Sequence, residues 1–360
     1  MSIQGTAERL SDFDRNLLRR SVRELLSRCW PAGDAVERAS NAPAIAALWQ
    51  DMASQGLASL ASNTGETGLR ESVLVFEELG RAACPAPLLG AVAANLALAG
   101  QSTNATRAVL DDVHQGKAAI ALALGAFDGD KAAGRVEAHG NELTGRASFV
   151  EGVQAATHIL VFTDTPARAA VVTSGAFGLS TQETPGLAVP AFAELTFAST
   201  PAALVEVSPN VLADIALVAR LACLARALGA AQRAFDLAVD HAKVRKQFGQ
   251  FIGQFQAVQH KLVNGLITLD GTRLALESAA EARDGGDPEW RVFAQAALAF
   301  AGPALRDVSI QTHRALGAIG YAEEHEAPRH FRRVHADLAR FGGTPRARAE
   351  LADFLLGPVQ

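Results

Sequence analysis

The feature that most constrains this chain is a continuous stretch in its second half, residues 211–262. Apolar side chains recur there at steps of three and four from Ile215 to Ala238, and this spacing predicts one long amphipathic helix. The helical pattern stops at a basic turn, Arg245-Lys-Gln-Phe-Gly-Gln-Phe-Ile-Gly253, and resumes from about Gln254. The stretch therefore predicts two long helices joined by a short basic turn.

The period of the apolar residues divides the chain into three regions. Residues 1–117 have helical spacing, and Ser11 is a candidate N-cap for the first helix. Residues 118–207 carry short alternating runs between Gly, Asn and Pro turns, which are typical of a small antiparallel sheet or barrel. Residues 208–360 return to helix and predict a four-helix bundle, with helices at about 211–244, 254–284, 288–316 and after 344. We therefore expect a mostly α protein with a central β-domain and these three ranges as its domains.

Composition and charge argue against several functional classes. The formal net charge of −5 argues against nucleic-acid binding. Three scattered cysteines predict no disulfide framework and favour a reducing compartment. The first residues show no secretory signal pattern, and the longest apolar run, 84–100, is too short and interrupted to span a membrane. We therefore expect a cytoplasmic protein with no membrane partner.

The basic turn carries a specific motif. From Arg245 to Leu262 the sequence reads R-K-Q-F-G-Q-F-I-G-Q-F-Q-A-V-Q-H-K-L, which closely resembles a signature of the acyl-CoA dehydrogenase family. The resemblance implies an FAD cofactor, with Arg245, Phe248 and Gln256 contacting the FAD of a neighbouring subunit. A guanidinium group suits this role because it can donate two hydrogen bonds in fixed geometry to a pyrophosphate. From spacing alone, a helical hairpin with a solvated basic turn remains the alternative.

Two further segments extend the resemblance. The turn Arg314-Ala-Leu-Gly-Ala-Ile-Gly-Tyr321 resembles a family turn, which implies that Arg314, Gly317 and Ala318 also contact the FAD of a neighbouring subunit. A helix C-cap is the alternative for this turn. Residues 143–152 resemble the flavin-covering segment of the family and place Phe149 where that segment carries Trp.

The reaction of this family needs a carboxylate base beside the α-carbon of the acyl thioester. Most members carry this Glu in a Y-E-G-T loop, where this chain reads Phe341-Gly-Gly-Thr344 and has Gly342. A minority carry it just before an arginine matched here by Arg220, and this chain has Ala219 there. Arg220 itself is implied to lie near the thioester, with a surface arginine as the alternative. Both usual base positions are therefore empty, and no catalytic residue is expected at either.

Three hypotheses follow for the activity. The first is the non-catalytic partner subunit of a hetero-oligomeric, FAD-dependent acyl-CoA dehydrogenase, acting in fatty acid or sterol side-chain degradation. The second is a self-sufficient flavoenzyme with a relocated base, Glu151 or Asp128, and the third is a flavin-free binding or scaffold protein on the same fold. The resemblance implies an acyl-CoA substrate, a homo- or hetero-tetramer with another chain of the family, and an electron-transfer flavoprotein as acceptor.

A histidine-containing segment near the end of the chain gives a false metal signal. His325-Glu-Ala-Pro-Arg-His330 lacks the H-E-x-x-H spacing, and Pro328 is expected to interrupt a helix there, so we expect no metal site. The neighbouring basic residues are interpreted as a solvated face or an interface near cofactor phosphates: Arg329, Arg332, Arg333 and His335.

Overall fold

The computed structural model describes residues 10–62, 67–98, 104–128, 133–164 and 166–357. The first helix begins at its expected cap, because Ser11 Oγ accepts a hydrogen bond from the Asp14 amide at 3.2 Å. The Asp14 carboxylate accepts one from the Ser11 amide in return, which completes a capping box. The N-terminal region is helical, with α1 (Asp12–Cys29), α2 (Ala35–Ala39), α3 (Ala42–Ser54), α4 (Leu69–Arg81), α5 (Leu88–Leu98) and α6 (Asn104–His114).

The middle region forms two four-stranded sheets. Their strands are β1 (Ile120–Ala123), β2 (Val136–His139), β3 (Glu142–Val150), β4 (His158–Asp164), β5 (Ala167–Thr173), β6 (Leu179–Thr184), β7 (Phe192–Pro201) and β8 (Ala203–Val205). One sheet has the order β1-β4-β5-β8 and the other the order β2-β3-β7-β6. β1 and β4 pair in parallel, since the β2–β3 hairpin between them in sequence belongs to the other sheet. A small core that includes Leu143, Val161 and Phe197 lies in this region.

The C-terminal region contains five described helices, one more than predicted. They are α7 (Pro209–Val244), α8 (Gln256–Asp284), α9 (Trp290–Leu316), α10 (Ala327–Ala339) and α11 (Gly343–Leu356). A short hairpin of β9 (Lys246–Gln247) and β10 (Gln250–Phe251) joins α7 to α8. The prediction that Pro328 interrupts a helix is wrong. Pro328 lies in the first turn of α10, where its missing N–H costs no helical hydrogen bond.

The two helical regions meet where α4 crosses α7. A Cβ at Gly80 of α4 would lie 1.8 Å from the Arg226 carbonyl oxygen of α7. A Cβ at Gly229 of α7 would likewise lie 1.8 Å from the Glu77 carbonyl oxygen of α4. Glycine at both positions allows the two backbones to come into contact.

The N-terminal and C-terminal helices share one hydrophobic core. Buried residues such as Trp49 of α3, Phe76 of α4 and Leu276 of α8 belong to the same cluster. The Asp284 carboxylate at the end of α8 also accepts a hydrogen bond from the Leu69 amide at 2.8 Å, which caps α4. The bounds of the three domains stay a prediction. None of the described helices is both long and apolar enough to cross a membrane.

Candidate functional site

The basic turn lies on the surface at one end of the C-terminal helices. Arg245 is the C-cap residue of α7, and its amide donates a hydrogen bond to the His241 carbonyl at 2.9 Å. Phe248 lies between β9 and β10 with a φ of 49° and is 93% exposed. Gln256 begins α8, and it is exposed like Arg245. A phenylalanine held in a left-handed conformation and open to water is typical of a surface that meets another molecule.

The second predicted cofactor segment lies near the first. Arg314, Gly317 and Ala318 are exposed at the end of α9. Gly317 is the C-cap residue with a φ of 64°, so the turn has the geometry of a helix C-cap whatever it binds. Leu316 packs in a small cluster with Ala238 from the last turns of α7. The two segments therefore lie at the same end of the C-terminal region.

Phe149 lies elsewhere, on the wall of a cavity of about 350 Å³ beside α10. It has a φ of 59° and sits where the pairing of β3 with β7 shifts register. Phe341, also on this wall, has a φ of 56°. Backbone strain in two aromatic residues around one cavity is a pattern of functional sites. Because no residue of the two exposed turns lines the cavity, the predicted cofactor residues form two separate groups.

A buried ion cluster borders this cavity. The Glu151 carboxylate accepts hydrogen bonds from Arg226 at 2.7 Å and from Arg333 and Arg340 at 2.8 Å each. The Asp337 carboxylate accepts two from Arg226, at 2.6 and 2.8 Å. Burial acts to raise the pKa of Glu151, but the three guanidinium charges outweigh it and hold that pKa well below its usual range. We call these five residues the arginine cluster.

The arginine cluster corrects two interpretations made from the sequence. Arg333, expected on a solvated face or an interface, is buried and also donates a hydrogen bond to the Val189 carbonyl at 2.7 Å. Glu151, a candidate base, has its oxygens engaged by guanidinium groups, so proton uptake there is strongly disfavoured. One signal of the cluster is present in the sequence, since the otherwise apolar stretch 215–231 of α7 carries two charged residues, Arg220 and Arg226.

The two family positions for the base hold no proton acceptor in the structure. Gly342 is the N-cap of α11 with a φ of 75°, in a turn where Phe341 and Gly343 also have positive φ. Ala219 is buried within α7. The side chain of Asp128, the other candidate base, lies outside the described part of the chain. The turn 341–344, where the resemblance implies the base, therefore has glycine and no carboxylate at position 342.

Arg220 is buried, so the alternative of a surface arginine is wrong. Its Nη1 donates a hydrogen bond to Glu350 at 2.7 Å, and Glu350 also accepts one from Arg346 at 2.6 Å. Burial acts to raise the pKa of Glu350, but these two arginines lower it. Arg220 lines a small cavity together with Phe341 and Gly343. It therefore lies beside the turn 341–344, where the resemblance predicts the position of the base.

Comparison with known proteins identifies the family of the chain. Residues 211–354 match the family model described as acyl-CoA dehydrogenase, C-terminal domain. Acyl-CoA dehydrogenase IpdE2 of Mycobacterium tuberculosis is 30% identical over 331 residues, which cover 89% of this chain and 91% of that protein.

Solved structures show the same architecture. A steroid ACAD variant of Tcur3481-Tcur3483 has a TM-score of 0.85 at 26% identity. The match covers 95% of this chain and 98% of that one. A chain of the ChsE4-ChsE5 complex from Mycobacterium tuberculosis has a TM-score of 0.83 at 20% identity. The match covers 97% of this chain and 99% of that one. These matches confirm the predicted fold class of helical, β and helical regions. The chain belongs to the acyl-CoA dehydrogenase family.

Proposed function

We propose that this chain is the non-catalytic partner subunit of a hetero-oligomeric, FAD-dependent acyl-CoA dehydrogenase. The observation that carries the proposal is that Gly342 and Ala219, where the resemblance implies the base, have no proton-accepting side chain. The reaction removes the α-hydrogen as a proton, while FAD supplies the acceptor for the β-hydride. A chain with no positioned base therefore needs a partner that carries the Glu.

The two exposed turns suit a cofactor that is shared with another subunit. Arg245 and Arg314 offer guanidinium groups, Gln256 offers an amide, and Gly317 offers backbone without a side chain. This set of donors fits a pyrophosphate. We propose that Arg245, Phe248, Gln256, Arg314, Gly317 and Ala318 contact the FAD of a neighbouring chain. Phe149 lines a cavity that no residue of these turns lines, and it is proposed as a flavin contact in the complementary half of such a shared site.

An exposed apolar surface supports assembly through α8 and α9. Large apolar side chains on these helices face solvent in the isolated chain, which is typical of an interaction surface. They are Val263, Leu266, Ile267, Leu274, Phe293 and Phe300. Two of the similar structures are named as two-component proteins, Tcur3481-Tcur3483 and the ChsE4-ChsE5 complex. We propose a tetramer with a second acyl-CoA dehydrogenase chain.

The substrate and acceptor follow from the family. We propose an acyl-CoA substrate, with Arg220 near its thioester, and an electron-transfer flavoprotein as acceptor, in the cytoplasm. The steroid ACAD among the similar structures supports sterol side-chain degradation, with fatty acid degradation as the broader class.

Dye reduction with acyl-CoAs of several chain lengths tests the proposal. The lone chain should show little or no turnover, because a positioned base contributes about 10²–10⁴ in rate. Co-expression with a Glu-bearing partner should restore turnover, and a Glu→Gln change in that partner should abolish it. Brisk turnover by the lone chain would contradict the partner-subunit role. An absorbance spectrum of the assembly reports bound flavin, and a colourless assembly that cannot be reconstituted would favour the scaffold hypothesis.

A further inference from the structure

The arginine cluster carries one more positive charge than negative charge. Three guanidinium groups face the carboxylates of Glu151 and Asp337, and the ion pairs of the described residues bring no third carboxylate to them. Cys223 Sγ lies 3.7 Å from Arg340 Nη1, but burial raises the pKa of this thiol to about 11, so it is neutral at pH 7. Each guanidinium has a carboxylate partner, but a net charge in a buried cluster is costly, so the cluster favours an additional anion.

Arg340 brings this excess charge to the cavity beside Phe149. Its guanidinium carbon lies 5.2 Å from the centre of the Phe192 ring and 4.4 Å from the centre of the Phe341 ring. Both rings line the cavity, as Arg340 itself does, whereas Arg226 and Arg333 do not. The Arg340 side chain is 2% exposed, and its Nε has no hydrogen-bond partner among the described residues.

The rest of the cavity wall offers carbon surface and no opposing charge. No carboxylate lies among its described lining residues. The other titratable group on the wall is His335, whose Nε2 lies 3.1 Å from Ser309 Oγ. Burial lowers the pKa of His335, and the charge of Arg306 lowers it further, so the imidazole is neutral at pH 7. A ligand in the cavity therefore meets a single cation, Arg340, among mostly aromatic and aliphatic side chains, with Thr184 and the neutral His335 as the other polar side chains.

We propose that this cavity binds an apolar monocarboxylate, with the carboxylate paired to Arg340 and the carbon skeleton packed against Phe149, Phe192 and Phe341. The volume of about 350 Å³ is within the range of small-molecule sites. A neutral molecule of the same shape leaves the excess charge unmatched, so charge decides which ligand is accepted. The site shares Phe149 with the proposed flavin contacts but does not depend on FAD, because the arginine cluster belongs wholly to this chain.

Benzoate and benzamide are matched probes, since they have the same shape and differ in charge. Isothermal titration calorimetry at pH 7 on the purified protein should show benzoate binding at least about tenfold tighter than benzamide. Arg340→Met should remove this preference, and Arg340→Lys should keep part of it because it keeps the charge. Arg332→Met is the control, since Arg332 lies on α10, the helix that Arg340 caps, but does not line the cavity.

Ala339→Leu tests the cavity without changing its charge. Ala339 is exposed at the end of α10 and lines the cavity, so the larger side chain should weaken benzoate binding while the fold survives. Equal binding of the two probes, no benzoate binding, or unchanged benzoate binding in Arg340→Met would overturn the proposal. If Arg340→Met does not fold, the affinities of Arg340→Lys and Ala339→Leu for benzoate and benzamide decide the proposal.

Flavin content separates this proposal from the proposed function when it is measured on the assembly with the partner chain, while benzoate is titrated into the flavin-free chain, because Phe149 is also a proposed flavin contact. Benzoate binding by the chain, together with an assembly that cannot take up flavin, would sink the cofactor proposal and leave the carboxylate site standing. Flavin uptake by the assembly without benzoate binding by the flavin-free chain would overturn the carboxylate site alone.

Discussion

At the scale of single residues, Gly342 shows why the missing base cannot simply be put back. Its φ of 75° is a left-handed conformation, which costs other residues about 1–2 kcal/mol. A Cβ there would also lie 2.9 Å from the Arg346 Cβ. We expect Gly342→Glu to lower the melting temperature and to give the lone chain no measurable dehydrogenase activity.

The matched control for this change is Gly140→Glu. Gly140 has a similar φ of 60°, but a side chain there meets nothing within 4 Å. Thermal unfolding should therefore show a larger loss for Gly342→Glu than for Gly140→Glu. Equal stability of the two variants, together with acyl-CoA turnover by the Gly342→Glu chain alone, would contradict this account.

Arg245 is the residue on which the proposed cofactor contact depends most directly. Removing one partner of a charge pair buried in an interface costs about 2–5 kcal/mol, so Arg245→Ala should weaken FAD binding by at least about thirtyfold. The fold should survive, because the side chain is exposed in the isolated chain. Lys243→Ala is the control, since Lys243 is an exposed cation in the last turn of the same helix. Flavin fluorescence after dilution measures both, and equal FAD retention would show that Arg245 is not a cofactor contact.

At the scale of elements, the crossing of α4 with α7 depends on backbone contact at Gly229. Gly229→Ala places a Cβ 1.8 Å from the Glu77 carbonyl oxygen, and the helices must separate to admit it. Overpacking of this kind should lower the free energy of unfolding by about 1–3 kcal/mol, and urea denaturation measures this change. Gly265→Ala in α8 is the matched control, because its Cβ would meet the Phe235 ring at an ordinary 3.5 Å. At Gly265 the higher helix propensity of Ala should raise the free energy of unfolding by as much as about 1 kcal/mol. Equal effects of the two changes would show that the crossing tolerates a side chain.

At the scale of the whole molecule, the sequence predicts what is encoded locally. The apolar period predicts α7, α8 and α9, and the turn motifs predict which surface segments carry Arg245 and Gly317. The arginine cluster is not predicted, because Glu151 and Arg340 are 189 residues apart and only the fold brings them together. The parallel pairing of β1 with β4 depends in the same way on a crossover. The motifs therefore locate Phe149 and Gly342 in the sequence. They do not predict the cavity that Phe149 and Arg340 line together.

Assembly is the property of the whole molecule that links the exposed apolar surface to the cofactor. Ile267 on α8 is 65% exposed in the isolated chain, and Ile267→Asp would place a charge in the proposed interface. We expect this variant to lose its partner chains. We also expect it to lose FAD, because the exposed turns form only part of the proposed FAD site and another subunit completes that site. Phe177→Asp is the control, since Phe177 is 84% exposed but belongs to the β region. Size-exclusion chromatography with light scattering and flavin absorbance measures mass and cofactor together. An intact assembly in Ile267→Asp would reject this interface, and a dissociated chain that keeps its full FAD content would reject the shared site.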